Sequence, residues 1–230
     1  MSERFAIYLV PRAGSALWDR GCRWLGRDPE TGTVFAPLAV PGFTSDEIRT
    51  LTRMPRDYGF HATLKAPFRL AQGVDELALL ESVARLARTL PTLSMPELRV
   101  DRLDDFLALR PAGASATVDA LAARLVTALD PLRAPIDAAE RDRRLSSRLS
   151  ARQQELLERW GYPYVLEEFR FHMTLSGRLE PLQAARLHAG LEDWFASALS
   201  GQSDVVDVGV FRQAAPGAEF TLRRRFTLQN

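Results

Sequence analysis

The chain has 230 residues, of which 46% are hydrophobic and 26% charged, a balance typical of one sizeable soluble domain or two small lobes on a shared core. Thirty basic groups set against 29 acidic ones leave a formal net charge of +1, so no strong field draws the protein to long nucleic acid or to an anionic membrane surface. Cys22 is the only cysteine, which excludes an internal disulfide and argues against a thiolate zinc site.

In chain order, Phe5 to Val10 is rich in strand formers and stops at Pro11. The run is too short for a signal segment or a membrane span, so a cytoplasmic protein is expected. Ser15 to Gly26 has helical spacing and a glycine terminator, and residues 27–43 read as loop. Thr44-Ser45-Asp46-Glu47 is a capping box, expected to open a short helix that ends before Pro55. From Tyr58 to Phe68 strand alternation puts Phe60, Ala62, Leu64 and Ala66 on one face and His61, Thr63 and Lys65 on the other.

Asp75 to Leu90 is helical, and Leu98 to Leu103 and Phe106 to Arg110 form two strands around Asp104-Asp105. Ser115 to Leu129 is a capped helix, and residues 131–149 read as a charged connection. Ser150 to Trp160 is a helix with a Ser150/Gln153 box and Gly161 as its stop. A second strand carries Phe169, Phe171, Met173 and Leu175 on one face and Arg170, His172, Thr174 and Ser176 on the other. Leu182 to Leu199 is helical, and Asp204 to Gln213 and Glu219 to Leu228 are strands around an Ala-Pro-Gly turn.

Two of the three histidines thus stand in one frame, His61-Ala62-Thr63-Leu64 and His172-Met173-Thr174-Leu175. Residues i and i+2 of a strand share a face, so each imidazole projects beside a hydroxyl. The apolar opposite faces belong in the core, and faces that collect His, Thr, Lys65 and Arg170 belong on solvent or a polar cleft, because unpaired buried charge is costly. The order strand, helix, two strands occurs at residues 58–111 and again at 169–228, joined through the helical segment 115–160. A duplicated arrangement would set the two motifs opposite each other across a groove, clasping one phosphoryl group.

Plainer readings compete. Lys65 and Arg170 are also consistent with simple solvated charge. A metal held by the histidines with Asp57, Asp75, Glu167 or Glu168 lacks the tight ligand spacing of a zinc motif. His188 reads as a structural helix-boundary residue, and Trp160, Tyr162 and Tyr164 as core and turn rather than a stacking platform for a base. Strand phase leaves open which face Tyr8 takes, and the alternating Arg223, Arg224 and Arg225 form no single patch.

The paired motifs, with Tyr58-Gly59-Phe60-His61, Trp160-Gly161-Tyr162-Pro163-Tyr164-Val165 and Phe169-Arg170-Phe171-His172, resemble the two-histidine (2H) phosphoesterase superfamily, in particular a bacterial branch encoded with phosphonate-use genes. The resemblance implies an α+β, bilobal duplicated fold over residues 1–230, with two antiparallel sheets facing a central groove and helices on the outer faces. It implies His61 and His172 as the catalytic pair, Thr63 and Thr174 as phosphate ligands, and no metal or other cofactor. Strand phase adds Lys65 and Arg170 as substrate-binding residues.

The expected activity is hydrolysis of a small cyclic phosphodiester, such as a phosphorylated ribose cyclic phosphate. One neutral histidine would take a proton from water and the other would protonate the leaving oxygen, with the threonine hydroxyls donating to the non-bridging oxygens. An RNA or nucleotide 2′,3′-cyclic phosphodiesterase or RNA end-joining enzyme is the alternative, and a non-catalytic nucleotide-binding module a further one. The expected partner is a small phosphorylated substrate, with neither membrane nor long nucleic acid involved, and a monomer is the favoured state.

Overall fold

A computed structural model describes residues 3–200 and 206–229. The first strand, β1 (Arg4–Pro11), is followed by α1 (Ala16–Leu25), whose N-cap Ser15 accepts from the Trp18 amide and whose C-cap Gly26 is left-handed. Helix α2 (Ser45–Tyr58) opens on the Thr44/Glu47 capping box and then departs from expectation, because it runs through Pro55. A proline inside a helix orphans the carbonyl four residues earlier. Here that carbonyl belongs to Leu51, and it accepts from the Gly177 amide at 2.6 Å, so the bond lost within the helix is replaced from a distant part of the chain.

Strand β2 (Ala62–Phe68) leads to α3 (Glu76–Ala87), capped by Asp75, and then to the hairpin β3 (Leu98–Leu103) and β4 (Phe106–Pro111). Helix α4 (Ala116–Ala128) ends in a short 3₁₀ turn at Asp130–Leu132. The connection expected over residues 131–149 contains a helix, α5 (Ala138–Leu145), capped by Asp137 and burying none of its residues. Helix α6 (Ala151–Trp160) has its Ser150/Gln153 box and left-handed Gly161.

The second motif strand is much shorter than expected: β5 is only Met173–Thr174. After α7 (Pro181–Leu199) come β6 (Val206–Gln213) and β7 (Phe220–Thr227). The expected start of that hairpin at Asp204 lies outside the described residues.

The seven strands of the described residues join one antiparallel sheet in the order β3-β4-β5-β2-β1-β6-β7, so the described residues form an α+β fold with a single sheet rather than two facing sheets. The two motif strands are hydrogen-bonded neighbours, not opposite walls of a groove. The hairpin that follows β2 in sequence lies beside β5, whereas the hairpin that follows β5 lies beyond β1, on the far side of β2.

The core lies under the apolar face, where α1 and α7 pack against each other and against the sheet. Phe60 stacks on Phe195 of α7 with ring centroids 6.2 Å apart. Gly21 of α1 gives way to the same ring, since a Cβ there would come within 2.1 Å of Phe60. Gly21→Ala is therefore expected to cost about 1–3 kcal/mol by overpacking, read from urea denaturation, with Phe60→Leu in the same background recovering part of the loss. Equal stability of Gly21→Ala and the parent would show that this contact is soft.

Candidate functional site: paired histidine–threonine strands

The strands β2 and β5 meet at Ala62 and Met173, which are paired antiparallel and buried in the core. In an antiparallel ladder the residues on either side of such a pair face one another across the strands and point to the opposite surface. His61 therefore lies across from Thr174, and Thr63 across from His172. The four side chains form one patch with a local twofold axis through the Ala62–Met173 pair. Tyr8 pairs with Thr63 from β1, so it belongs to this face, the question that strand phase alone left open.

Each histidine donates from Nδ1 to the carbonyl two residues earlier: His61 to Gly59 at 2.8 Å and His172 to Arg170 at 2.7 Å. A carbonyl can only accept, so Nδ1 carries the proton in both rings and Nε2 is left as the lone-pair nitrogen of the neutral form. For His61 the carbonyl is aimed by Gly59, which ends α2 at φ 82° and ψ 175°, a positive-φ conformation essentially reserved for glycine.

Beyond this shared frame the two environments diverge. His61 is boxed by aromatic rings, with Tyr8 stacked on it at 3.6 Å and 21° and Tyr58 and Phe211 at 6.4 and 6.2 Å. Burial pulls its pKa down to about 3, against the opposing Gly59 hydrogen bond, and the nearby His172 pushes the same way. Its Nε2 lies 3.1 Å from Thr63 Oγ1. His172 is also held below the ordinary range, first by burial and then by the cationic Arg110 and Arg170. The phenol of Tyr8 is fully buried, its hydroxyl has no hydrogen-bond partner among the described residues, and burial raises its pKa.

His172 and Thr63 open onto a cleft of about 240 Å³, bounded by Asp104 of the β3–β4 turn, Phe106 at the start of β4, and Tyr162, Tyr164 and Glu168 beyond α6. Arg170 also lines it, half exposed and 3.9 Å from Asp104. His61 and Thr174 complete the patch beside this cleft rather than lining it.

Lys65 does not reach the cleft. It is buried, bonded to the Val126 carbonyl at 3.2 Å and to Asp130 at 3.3 Å, and burial lowers its pKa to about 8 against the pull of Asp130. The reading of Lys65 as a substrate ligand is thus corrected: the turn after α4 covers it. Asp130→Ala, which strips the carboxylate from a buried ammonium, is expected to cost about 3 kcal/mol in denaturant titration, whereas Lys65→Met should cost less, because Asp130 keeps Arg133 as a partner at 2.8 Å.

Sequence reasoning missed Arg110, which the ladder places next to His172 because Leu109 pairs with Met173. Tyr162 packs against Val126, Leu156 and Val165, as its core reading expects, but the further position of both tyrosines at the cleft was not foreseen. Tyr162 lies edge-on to Tyr164 at 5.6 Å, and both line the cleft. Strand phase in β4 carried a signal for Arg110, but only once the β4–β5 register is known. His188 lies within α7, away from the cleft, bonded to the Val100 carbonyl and beside Glu192. Among the described residues no group of three or more His, Cys, Asp and Glu side chains is placed to hold a metal ion, and no helix is long and apolar enough to cross a membrane.

The depressed His61 pKa has a defined sign for stability. Between pH 6.5, the ordinary histidine value, and about 3, the unfolded chain binds the proton that folded His61 refuses. Its contribution to stability is present above 6.5 and is lost as pH falls toward 3. Urea titrations at pH 7 and pH 5 should show a smaller acid-side loss for His61→Gln than for the parent, and identical losses would contradict the aromatic box as the cause.

Fold and site together define an α+β protein with two histidine–threonine pairs on adjacent central strands. The chain belongs to the DUF1045 family, described as a protein of unknown function, which it matches over residues 63–221. It is 39% identical over 221 residues to the ribose 1,5-bisphosphate phosphokinase PhnN of Janthinobacterium sp. (strain Marseille), an alignment covering 94% of this chain and 49% of the relative. It is 37% identical over 222 residues to the protein of the same name from Laribacter hongkongensis (strain HLHK9), covering 96% and 51%. The chain spans about half the length of the curated relatives it matches. A solved structure of a conserved protein of unknown function from Agrobacterium tumefaciens str. C58 aligns with 98% of this chain and 87% of its own, at 16% identity and a TM-score of 0.41.

These names overturn the expected activity. A phosphokinase transfers a phosphoryl group and is a transferase, so the reading as a hydrolase of cyclic phosphodiesters is corrected, together with its RNA-directed phosphodiesterase alternative. A small phosphorylated ribose as the ligand agrees with the relatives' name.

Proposed function

We propose that this chain binds a phosphorylated ribose at the paired strands and serves phosphoryl-transfer chemistry on ribose phosphates, in the phosphonate-linked setting that its sequence resembles. The observation that carries this reading is the Ala62–Met173 register, which gathers two imidazoles and two hydroxyls on one face beside Arg170 and Arg110. That face opens on a cleft of about 240 Å³, with room for a small sugar phosphate. The His-x-Thr pair also supports kinship of scaffold with the 2H proteins. We assign to this chain the sugar-phosphate side of the chemistry alone. A glycine-rich phosphate loop ends in a Gly-Lys pair, whereas Lys65, the only lysine here, follows Leu64 and is committed to Asp130.

In this reading Arg170 and His172 receive the anionic oxygens. Free His172 is neutral at pH 7, because burial and the two arginines disfavour its charge. A bound phosphoryl group reverses that balance, so His172 takes up a proton and donates from Nε2, while Nδ1 stays on the Arg170 carbonyl.

Isothermal titration calorimetry tests this directly. Ribose 5-phosphate and ribose 1,5-bisphosphate should bind and ribose should not. His172→Ala should weaken binding about 10- to 100-fold, the worth of one hydrogen bond to a charged group. Heats measured at pH 7 in buffers of different ionisation enthalpy should report uptake of up to one proton, lost in His172→Ala. Failure of both sugar phosphates to bind, or equal binding of ribose, would overturn the reading.

A further inference from the structure

The two motifs look alike in sequence, but the hydroxyl protons in them are not equally free. His61 Nδ1 lies 2.8 Å from the Gly59 carbonyl and must donate to it, so the Nε2 of the neutral ring presents a lone pair. Thr63 Oγ1 sits 3.1 Å from that lone pair, and two lone pairs do not form a hydrogen bond, so the threonine hydroxyl is the donor. The ring is fixed in this orientation by the stacked Tyr8 and the flanking Tyr58 and Phe211. Thr63 has one proton and has given it inward. Thr63 lines the cleft, and what its oxygen can still offer a ligand there is acceptor capacity only. A bare phosphoryl oxygen is repelled there, and an O–H is attracted.

We propose that Thr63 is a specificity-determining residue that accepts a hydrogen bond from a free hydroxyl of the bound sugar, leaving the phosphoryl group to His172 and Arg170. The inference rests on the sugar-phosphate reading above and changes the role first expected for Thr63, from phosphate donor to hydroxyl acceptor. The low pKa of His61 keeps its ring neutral at physiological pH and so maintains the arrangement. The second motif does not repeat it: His172 Nδ1 is tied to the Arg170 carbonyl in the same way, but its ring stands at the cleft beside Phe106, with centroids 5.8 Å apart.

Calorimetry with ribose 5-phosphate, 2-deoxyribose 5-phosphate and 3-deoxyribose 5-phosphate reads the assignment. The parent protein should bind at least one deoxy analogue about tenfold more weakly than the full sugar, the usual worth of one hydrogen bond. Thr63→Val should abolish that gap by weakening ribose 5-phosphate alone, and Thr63→Ser should restore it. Only three histidines contribute to the imidazole ¹⁵N spectrum, so the tautomer is readable. His61 should show a protonated Nδ1 and a bare Nε2 at pH 7, with and without ligand.

Equal binding of all three sugars by the parent would overturn the Thr63 assignment while leaving sugar-phosphate binding standing. So would a uniform loss in Thr63→Val, or a protonated Nε2 on His61. Absence of binding for every sugar phosphate would instead overturn the reading on which the assignment rests.

Discussion

One antiparallel contact, between Ala62 and Met173, joins β3-β4-β5 to β2-β1-β6-β7 and makes a single sheet of them. The site depends on its register. The residues of this row, Leu109, Met173, Ala62, Leu9 and Val208, are buried and point into the core. The rows on either side point the other way and carry the histidines, the threonines, Tyr8 and Arg110. A slip of one position between β2 and β5 would exchange the faces of one motif and drive its His and Thr toward hydrocarbon. The hydrophobic demand of Ala62 and Met173 thus fixes the polar geometry, although β5 is only two residues long.

Within that frame, two copies of one local motif acquire different chemistry from their surroundings. Both rings are locked in the same tautomer by their own backbone, a consequence of the strand geometry around His61 and His172. Aromatic enclosure then makes His61 a fixed acceptor, while arginines and the cleft make His172 responsive to a bound anion. Environments that separate a pair of titratable groups are the usual way in which a protein gives chemically identical side chains unlike tasks.

What the sequence revealed follows the range over which each interaction acts. The capping boxes at Thr44 and Ser150 were legible because donor and acceptor lie within three residues of each other, whereas the cap expected at Ser115 makes no side-chain bond to the helix. The His-x-Thr frames were legible because strand alternation is equally local. Pro55 misled because the amide that rescues its helix belongs to Gly177. Helix α5 was hidden because it buries no side chain and so lacks an apolar stripe. Lys65 shared the phase of His61 and Thr63, but phase could not reveal that Asp130 covers it. Nor could paired motifs fix the reaction: imidazoles and hydroxyls that suit a phosphoryl group suit its transfer as well as its hydrolysis, and the relatives' names made the correction.

The tie between Leu51 and Gly177 has a mechanical meaning. Helix α2 runs directly into Gly59 and the first histidine, and Gly177 stands three residues after Thr174. Because Pro55 offers no amide, the Leu51 oxygen has no donor of its own within the helix to fall back on. The approach to one motif is thereby tethered to the exit from the other, so that shear between the two strands is resisted at a point outside the sheet. An irregularity that would ordinarily weaken a helix works here as a clamp on the spacing of the site.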